Sequence, residues 1–220
     1  MVKDINGKAF LSFSAKSFRN ICDELAARDK ELARIIREHG YPPMWTRPNS
    51  FETLVHIILE QQVSLASALA ALKKLQGKTQ KITPEKILAL SDEELKACYV
   101  SRQKSVYIRH LAEAIKDKRL DLAALETLPD EAIRAQLVAL KGIGNWTADV
   151  YLMFVLQRTD LFPLGDLAAV NALKSVKKLA RDTAPESLLQ LTESWKPFRT
   201  VATMILWHYY LSTPSKLRRN

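Results

Sequence analysis

Apolar positions recur at three- and four-residue steps along most of the chain, the spacing of helices that bury one face. From Ser14 to Glu38 the pattern runs through Phe18, Ile21, Leu25, Leu32, Ile35 and Ile36. It predicts one helix, stopped by Gly40-Tyr41-Pro42-Pro43. Ahead of it, Ala9-Phe10-Leu11-Ser12-Phe13 alternates, so residues 1–13 read as a short extended lead-in. Asn49-Ser50-Phe51-Glu52 has the form of a capping box and opens a helix carrying Leu54, Val55, Ile58 and Leu59. After a turn at Glu60-Gln61-Gln62-Val63-Ser64, an Ala/Leu-rich helix runs from Leu65 to Leu75 and is ended by Gly77. Thr83-Pro84 and Ser91-Asp92-Glu93-Glu94 start short helices. Residues 102–117 form another amphipathic helix, and Pro129 opens the next. Helices near 166–180, 185–193 and 197–211 follow, the last rich in aromatics. With no strand-rich block and no fixed-period repeat, the fold class is all-α, with roughly ten helices.

One stretch stands out. Val138-Ala139-Leu140-Lys141-Gly142-Ile143-Gly144-Asn145-Trp146-Thr147-Ala148 reads as a helix end, a tight two-glycine turn and a helix start. Gly142 and Gly144 permit positive φ and close approach of an outside group. Asn145 is placed to cap the next helix. Unpartnered N–H groups at a helix start make an anion site, and a DNA phosphate fits it. Twenty residues after Trp146, Phe162-Pro163-Leu164-Gly165-Asp166 brings one carboxylate to the head of a helix. Asp166 there suits either an N-cap or a catalytic acid, and the residues alone leave both open. Asp149, one turn into an apolar helix, reads as satisfying the helix N-terminus, and Asp160 as turn chemistry.

A chain of 220 residues makes one large domain or two small lobes. No apolar run reaches the ~18 residues of a membrane span, and the start lacks the order of a secretory signal. The expected location is the cytoplasm, or the nucleus of a eukaryotic cell. Cys22 and Cys98 lack CxxC spacing and read as core residues of a reducing compartment. The net charge of +9 favours a polyanionic partner. Basic residues are dispersed apart from Lys73-Lys74, Lys174–Lys178 and the tail Lys216-Leu217-Arg218-Arg219, which reads as a solvated end. His39, His56, His110 and His208 have no metal-ligand spacing, which argues against a transition-metal site.

The hairpin Leu140–Ala148 followed by Asp166 resembles the helix-hairpin-helix-GPD superfamily of DNA glycosylases. Ile57-Ile58-Leu59-Glu60-Gln61-Gln62-Val63-Ser64 upstream and Trp195-Lys196-Pro197-Phe198-Arg199 downstream are similar to its alkylated-base branch, the 3-methyladenine DNA glycosylase II type. The resemblance covers about 46–211. It implies two helical lobes, 46–160 with the hairpin and 1–45 with 161–220, and an active-site cleft between them. It implies excision of alkylated purines from double-stranded DNA by a monomer. Larger members carry an N-terminal α/β domain, for which the residues before Ser14 are too few. The family loop often has two adjacent acids, whereas Gly165-Asp166 leaves one.

By resemblance Asp166 is the catalytic residue. A carboxylate beside C1′ stabilises the positive charge that develops on the sugar and can deprotonate a water. Trp146, Val150 and Trp207 match pocket positions; an electron-rich ring attracts a cationic alkylated purine, and Val150 stands where relatives can carry an aromatic. Gln62 matches the wedge that fills the space of a flipped base. Gln61, Gln62, Lys141, Gly142, Gly144, Asn145 and Thr147 are the implied DNA contacts. Main-chain carbonyls of Val138, Leu140 and Ile143 are implied to hold a sodium or potassium ion. No cofactor is required, and the four-cysteine iron–sulfur motif of another branch is absent. Lyase relatives carry a lysine in the helix after the hairpin; Asn145-Trp146-Thr147-Ala148 has none, implying a monofunctional enzyme. Two alternatives stay open at this point: a non-catalytic DNA-binding module, and a bifunctional glycosylase/lyase.

Overall fold

The computed structural model describes residues 2–3, 9–10 and 12–213. Two two-residue strands, β1 (Val2–Lys3) and β2 (Ala9–Phe10), pair antiparallel, and Ser12 bridges to Arg158. The rest is helical: α1 (Ala15–Arg28), α2 (Lys30–His39), α3 (Phe51–Glu60), α4 (Leu65–Thr79), α5 (Pro84–Ala89), α6 (Asp92–Ala97) and α7 (Arg102–Lys116). Then come α8 (Leu122–Leu125), α9 (Asp130–Val138), α10 (Asn145–Phe154), α11 (Leu167–Val176), α12 (Pro185–Thr192) and α13 (Arg199–Ser212), with a 3₁₀ turn at Glu193–Trp195. The fold class is all-α. The basic tail Lys216–Arg219 lies outside the described residues.

The chain divides into two compact units. One combines the described residues up to Thr46 with those from Leu152 onward; the other is Arg47–Tyr151. The second division falls inside α10, ahead of the 160/161 boundary expected from the resemblance. In the first unit Phe18, Ile21, Leu25, Leu32, Leu173 and Ile205 form the core, with Trp195 fully enclosed. In the second, α7 packs against α3, α5 and α6, and Ile58, Leu75, Ile87 and Ile108 are buried. Cys22 and Cys98 are free and buried, and burial pushes the Cys22 thiol up to about 12.

Several boundaries differ from the sequence expectation, each for a local reason. The single helix expected over Ser14–Glu38 is two, broken at Asp29, which is extended (φ −135°, ψ 110°). An aspartate competes for backbone donors better than it sustains a helix. Its carboxylate accepts from the N–H groups of Glu31 at 2.9 Å and Leu32 at 3.2 Å, so it caps α2. Asn49 does not cap α3. Ser50 does, through the Thr53 N–H, while Asn49 donates to the Leu122 carbonyl at 2.7 Å and accepts from the Tyr151 hydroxyl at 2.7 Å. Gly77 lies inside α4, which continues to Thr79 and stops at Gln80 in left-handed backbone (φ 61°). The capping box at Ser91 and Glu94 forms as its spacing predicts, whereas the one-turn α8 had no visible periodicity.

Asp29 joins more than two helices. Its second oxygen accepts from Lys177 Nζ at 2.6 Å and from the buried Trp195 Nε1 at 2.8 Å, tying α2 to the end of α11 and to the 3₁₀ turn. Burial alone would raise its pKa. The Lys177 ammonium, the Trp195 indole and the Leu32 N–H outweigh burial and hold the carboxyl below its ordinary range. A folded-state pKa below the unfolded value gives stabilisation that is complete above the ordinary carboxylate range. It is lost as pH falls through the folded value. Asp29→Ala is expected to destabilise the protein by about 3 kcal/mol, because the ammonium and indole lose their acceptor and α2 its cap. Chemical denaturation at neutral pH measures the loss. The variant is also expected to show a shallower decline in stability through the acid range.

Candidate active site

The two-glycine hairpin lies in the second unit, between the end of α9 and the start of α10. Its glycines are not equivalent. Gly142 is left-handed (φ +88°), and a Cβ on it would stand 2.0–2.4 Å from ring atoms of Tyr107. The ring therefore lies against the bare backbone of the turn, and Gln103 Nε2 donates to its hydroxyl at 2.6 Å. Gly144 lies outside the left-handed region, and no atom comes within 4 Å of a Cβ placed there. Only Gly142 has the positive φ expected of both. The Ile143 N–H donates to the Leu140 carbonyl and the Ala148 N–H to the Gly144 carbonyl, each at 3.1 Å. Gly144 thus occupies the N-cap position and Asn145 is the first helical residue, so Asn145 is not the cap it was expected to be. Arg134 of α9 reaches across to the Asn145 carbonyl and side-chain oxygen at 3.4 Å, and to Asp149 at 2.5 Å. This ion pair gives Asp149 a cross-helix partner in α9, where its position had suggested the helix N-terminus.

The α3–α4 turn joins the hairpin. Gln61 Nε2 donates to the Gly142 carbonyl at 2.8 Å and to Thr147 Oγ1 at 3.0 Å. Thr147 is 1% exposed. Its hydroxyl and the Gln61 amide nitrogen are thus engaged with each other within the protein. Gln62, next in the chain, is exposed and left-handed (φ 57°). Lys141 and Asn145 are exposed on the hairpin. Glu60 is buried and takes both Arg47 guanidinium nitrogens, at 2.9 and 2.8 Å, with His56 Nε2 at 3.4 Å. Burial holds His56 below its ordinary range; Glu60 opposes that shift and Arg47 adds to it.

The carboxylate lies in the first unit. Asp166 is half-buried and caps α11: its Oδ1 accepts from the Ala169 N–H at 2.8 Å. The same oxygen accepts from Trp207 Nε1 of α13 at 3.0 Å. Two donors on one oxygen fix the direction of the carboxylate. The Trp207 ring, 8% exposed, stacks obliquely on Phe154 with centroids 5.1 Å apart and meets the Trp45 ring edge-on at 6.3 Å. Leu167, beside the acid, is 76% exposed. Asp160 pairs with Arg199 at 2.7 Å, an ion pair rather than turn chemistry alone. Trp146 is half-buried on α10, and Val150 is 2% exposed, leaving almost no surface to a ligand. Trp45 and Phe154 were not foreseen. Trp45 lies in a proline-flanked linker without periodicity, and Phe154 reads as one more apolar residue of α10.

Residues 55–197, a span holding both the hairpin and Asp166, match the HhH-GPD superfamily of base excision DNA repair proteins. The chain belongs to this superfamily. DNA-3-methyladenine glycosylase 1 of Schizosaccharomyces pombe is 28% identical over 182 residues, covering 81% of this chain and 80% of that protein. A crystal structure of DNA-3-methyladenine glycosidase from Bacillus halodurans aligns with a TM-score of 0.73 at 31% identity, over 93% of both chains. The S. pombe 3-methyladenine DNA glycosylase in complex with abasic DNA aligns with a TM-score of 0.76 at 27% identity, over 86% of this chain and 95% of that one. Other relatives are longer: the chain spans 57% of the Escherichia coli DNA-3-methyladenine glycosylase 2.

In this HhH-GPD chain the two hairpin glycines are expected to differ sharply on substitution. Gly142→Ala combines left-handed backbone with a clash against Tyr107 and is expected to cost at least about 2 kcal/mol. Gly144→Ala meets neither obstacle and is expected to stay within about 0.5 kcal/mol of the unaltered protein. Thermal unfolding of both variants checks the contrast.

Proposed function

We propose that the protein is a monofunctional DNA glycosylase that hydrolyses the N-glycosidic bond of alkylated purines, of the 3-methyladenine and 7-methylguanine type, in double-stranded DNA. The observation that carries this reading is Asp166, held at the head of α11 by the Ala169 N–H and the Trp207 indole, with the ring of Trp207 in an aromatic group.

The chemistry follows from the charges. Alkylation at N3 or N7 makes the purine cationic, so it departs as a neutral base without a strong general acid. Cleavage of the bond to C1′ leaves positive charge on the sugar, and a fixed carboxylate lowers the energy of that state. Asp166 then takes a proton from the water whose oxygen bonds to C1′. An electron-rich ring favours a cationic base over its neutral counterpart by roughly 0.5–2 kcal/mol per contact. Trp207 is the residue proposed for this role, with its neighbours Trp45 and Phe154 as further candidates in the same unit; Trp146 is the candidate aromatic of the hairpin unit. Val150, being enclosed, is part of the packing of the hairpin unit. The absence of any lysine from α10, Asn145–Phe154, supports hydrolysis without a lyase step.

The roles divide between the units: the hairpin unit grips the backbone, and the other carries the acid. Lys141 and the first-turn N–H groups of α10 suit a phosphate, a contact that positions DNA without reading sequence. The exposed Gln62 suits the wedge that replaces the flipped base. Among the described residues no group of His, Cys, Asp or Glu could hold a metal ion. Carbonyl oxygens suit a hard monovalent cation. Val138, Leu140 and Ile143 are the carbonyl donors proposed for it; the Leu140 carbonyl accepts one N–H bond, which leaves a second lone pair. No described helix is long and apolar enough to cross a membrane.

Asp166→Asn keeps a side-chain oxygen for capping and removes the charge. It is expected to lower single-turnover release of 3-methyladenine from methylated duplex by about 10²–10³-fold, with duplex binding retained. Excision at the unaltered rate would remove Asp166 from the reaction. Borohydride trapping of a covalent adduct by the unaltered protein would establish lyase chemistry instead.

A further inference from the structure

We propose that Gln61 is a positioning residue that couples the α3–α4 turn to the hairpin, so that gripping the phosphate and filling the emptied base stack occur as one event. The proposal rests on the base-flipping reading above, but its own evidence is the set of bonds around Gly142.

Gln61 and Gln62 are neighbours with opposite placements. Gln62 is exposed, in a backbone conformation that non-glycine residues seldom adopt. Gln61 leaves the helix (φ −59°, ψ 123°) and turns its amide into the hairpin. An amide nitrogen has two N–H donors diverging in one plane. Here one goes to the Gly142 carbonyl, in the turn, and one to Thr147 Oγ1, in the first turn of α10. The bridge therefore spans the segment whose N–H groups form the anion site.

The peptide plane between Gly142 and Ile143 is held at both ends. Its carbonyl accepts from Gln61, and its N–H donates to the Leu140 carbonyl. The direction of that plane sets where the backbone of Gly144 and Asn145 begins. On the other side, Glu60 is fixed by the two-pronged bond from Arg47. A directional path thus runs from Arg47 through Glu60 and Gln61 to the hairpin, with Gln62 one residue from its centre. A shift of the hairpin onto a phosphate is transmitted to Gln62 through bonds that tolerate little change in length or angle.

Gln61→Met keeps the length and most of the volume of the side chain but has no donor. It is expected to lower single-turnover excision of 3-methyladenine about tenfold, the equivalent of two modest hydrogen bonds. Affinity for undamaged duplex is expected to stay within about twofold, since the phosphate contacts remain. The decisive measurement is a double-mutant cycle with Gln62→Ala and Lys141→Ala, read as affinity for a duplex carrying a tetrahydrofuran abasic analogue. In the unaltered protein the double variant is expected to depart from the product of the single effects by about threefold or more. In the Gln61→Met background the effects are expected to multiply. Additivity in the unaltered protein, coupling that persists in Gln61→Met, or an excision loss that tracks only the folded fraction would each overturn the proposal. If the unaltered protein releases no base, the enzyme reading fails, while the affinity cycle still decides the role of Gln61.

Discussion

The first N–H groups of a helix have no partner inside it, and this shortage governs a chain built from many short helices. Ser50, Ser64, Thr83, Ser91 and Ser101 each meet it with a hydroxyl placed just before the first turn. Asp29 and Asp166 meet it with a carboxylate, and each also accepts a bond from an indole N–H. Their surroundings then separate them. Asp29 is buried against the Lys177 ammonium, so its charge is neutralised in place and it serves the fold. Asp166 Oδ1 accepts from a backbone N–H and an indole N–H, and the residue is half-buried with an exposed Leu167 beside it. The two bonds orient the carboxylate, which is what the proposed reaction requires of an acid that meets a developing cation.

The hairpin obeys the same constraint in reverse. Its helix start faces outward, and the turn is held by groups that leave that face open. Tyr107 packs against Gly142, Arg134 crosses to Asp149 and Asn145, and Gln61 bridges the turn to the first residues of α10. The braces come from α7, from α9 and from the α3–α4 turn. The shape of the proposed anion site is thus a property of the second unit rather than of its glycines.

This explains which features were legible in the sequence. Helical periodicity is a local property, so the elements and the all-α class could be read directly. The two-glycine turn and the acid at a helix head were readable because their chemistry depends on the backbone at those positions. What pairs with what was not readable. Gly142 and Gly144 are identical letters; the left-handed backbone at Gly142 and the Tyr107 ring, 35 positions earlier, distinguish them. Gln61 and Gln62 look alike until Gly142 and Thr147 claim the first. The break at Asp29 was hidden because one extended residue leaves the apolar spacing on either side intact. Trp45 was missed because a linker carries no period from which its facing could be inferred.

The bond between Trp207 and Asp166 also links recognition to chemistry. A carboxylate accepting from an indole N–H draws the proton toward itself and pushes electron density back onto the ring. The ring face then attracts a cation more strongly, and that attraction is what favours an alkylated purine over a neutral one. The same bond orients the carboxylate, so ring and acid cannot rotate independently. A cationic base stacked on Trp207 would therefore meet an acid already set in position. A neutral base forgoes the electrostatic gain and still needs a proton in order to leave. On the proposed reading, selectivity for damaged bases accordingly needs no side chain that reads the lesion itself. It follows from placing one carboxylate and one indole in the same hydrogen bond.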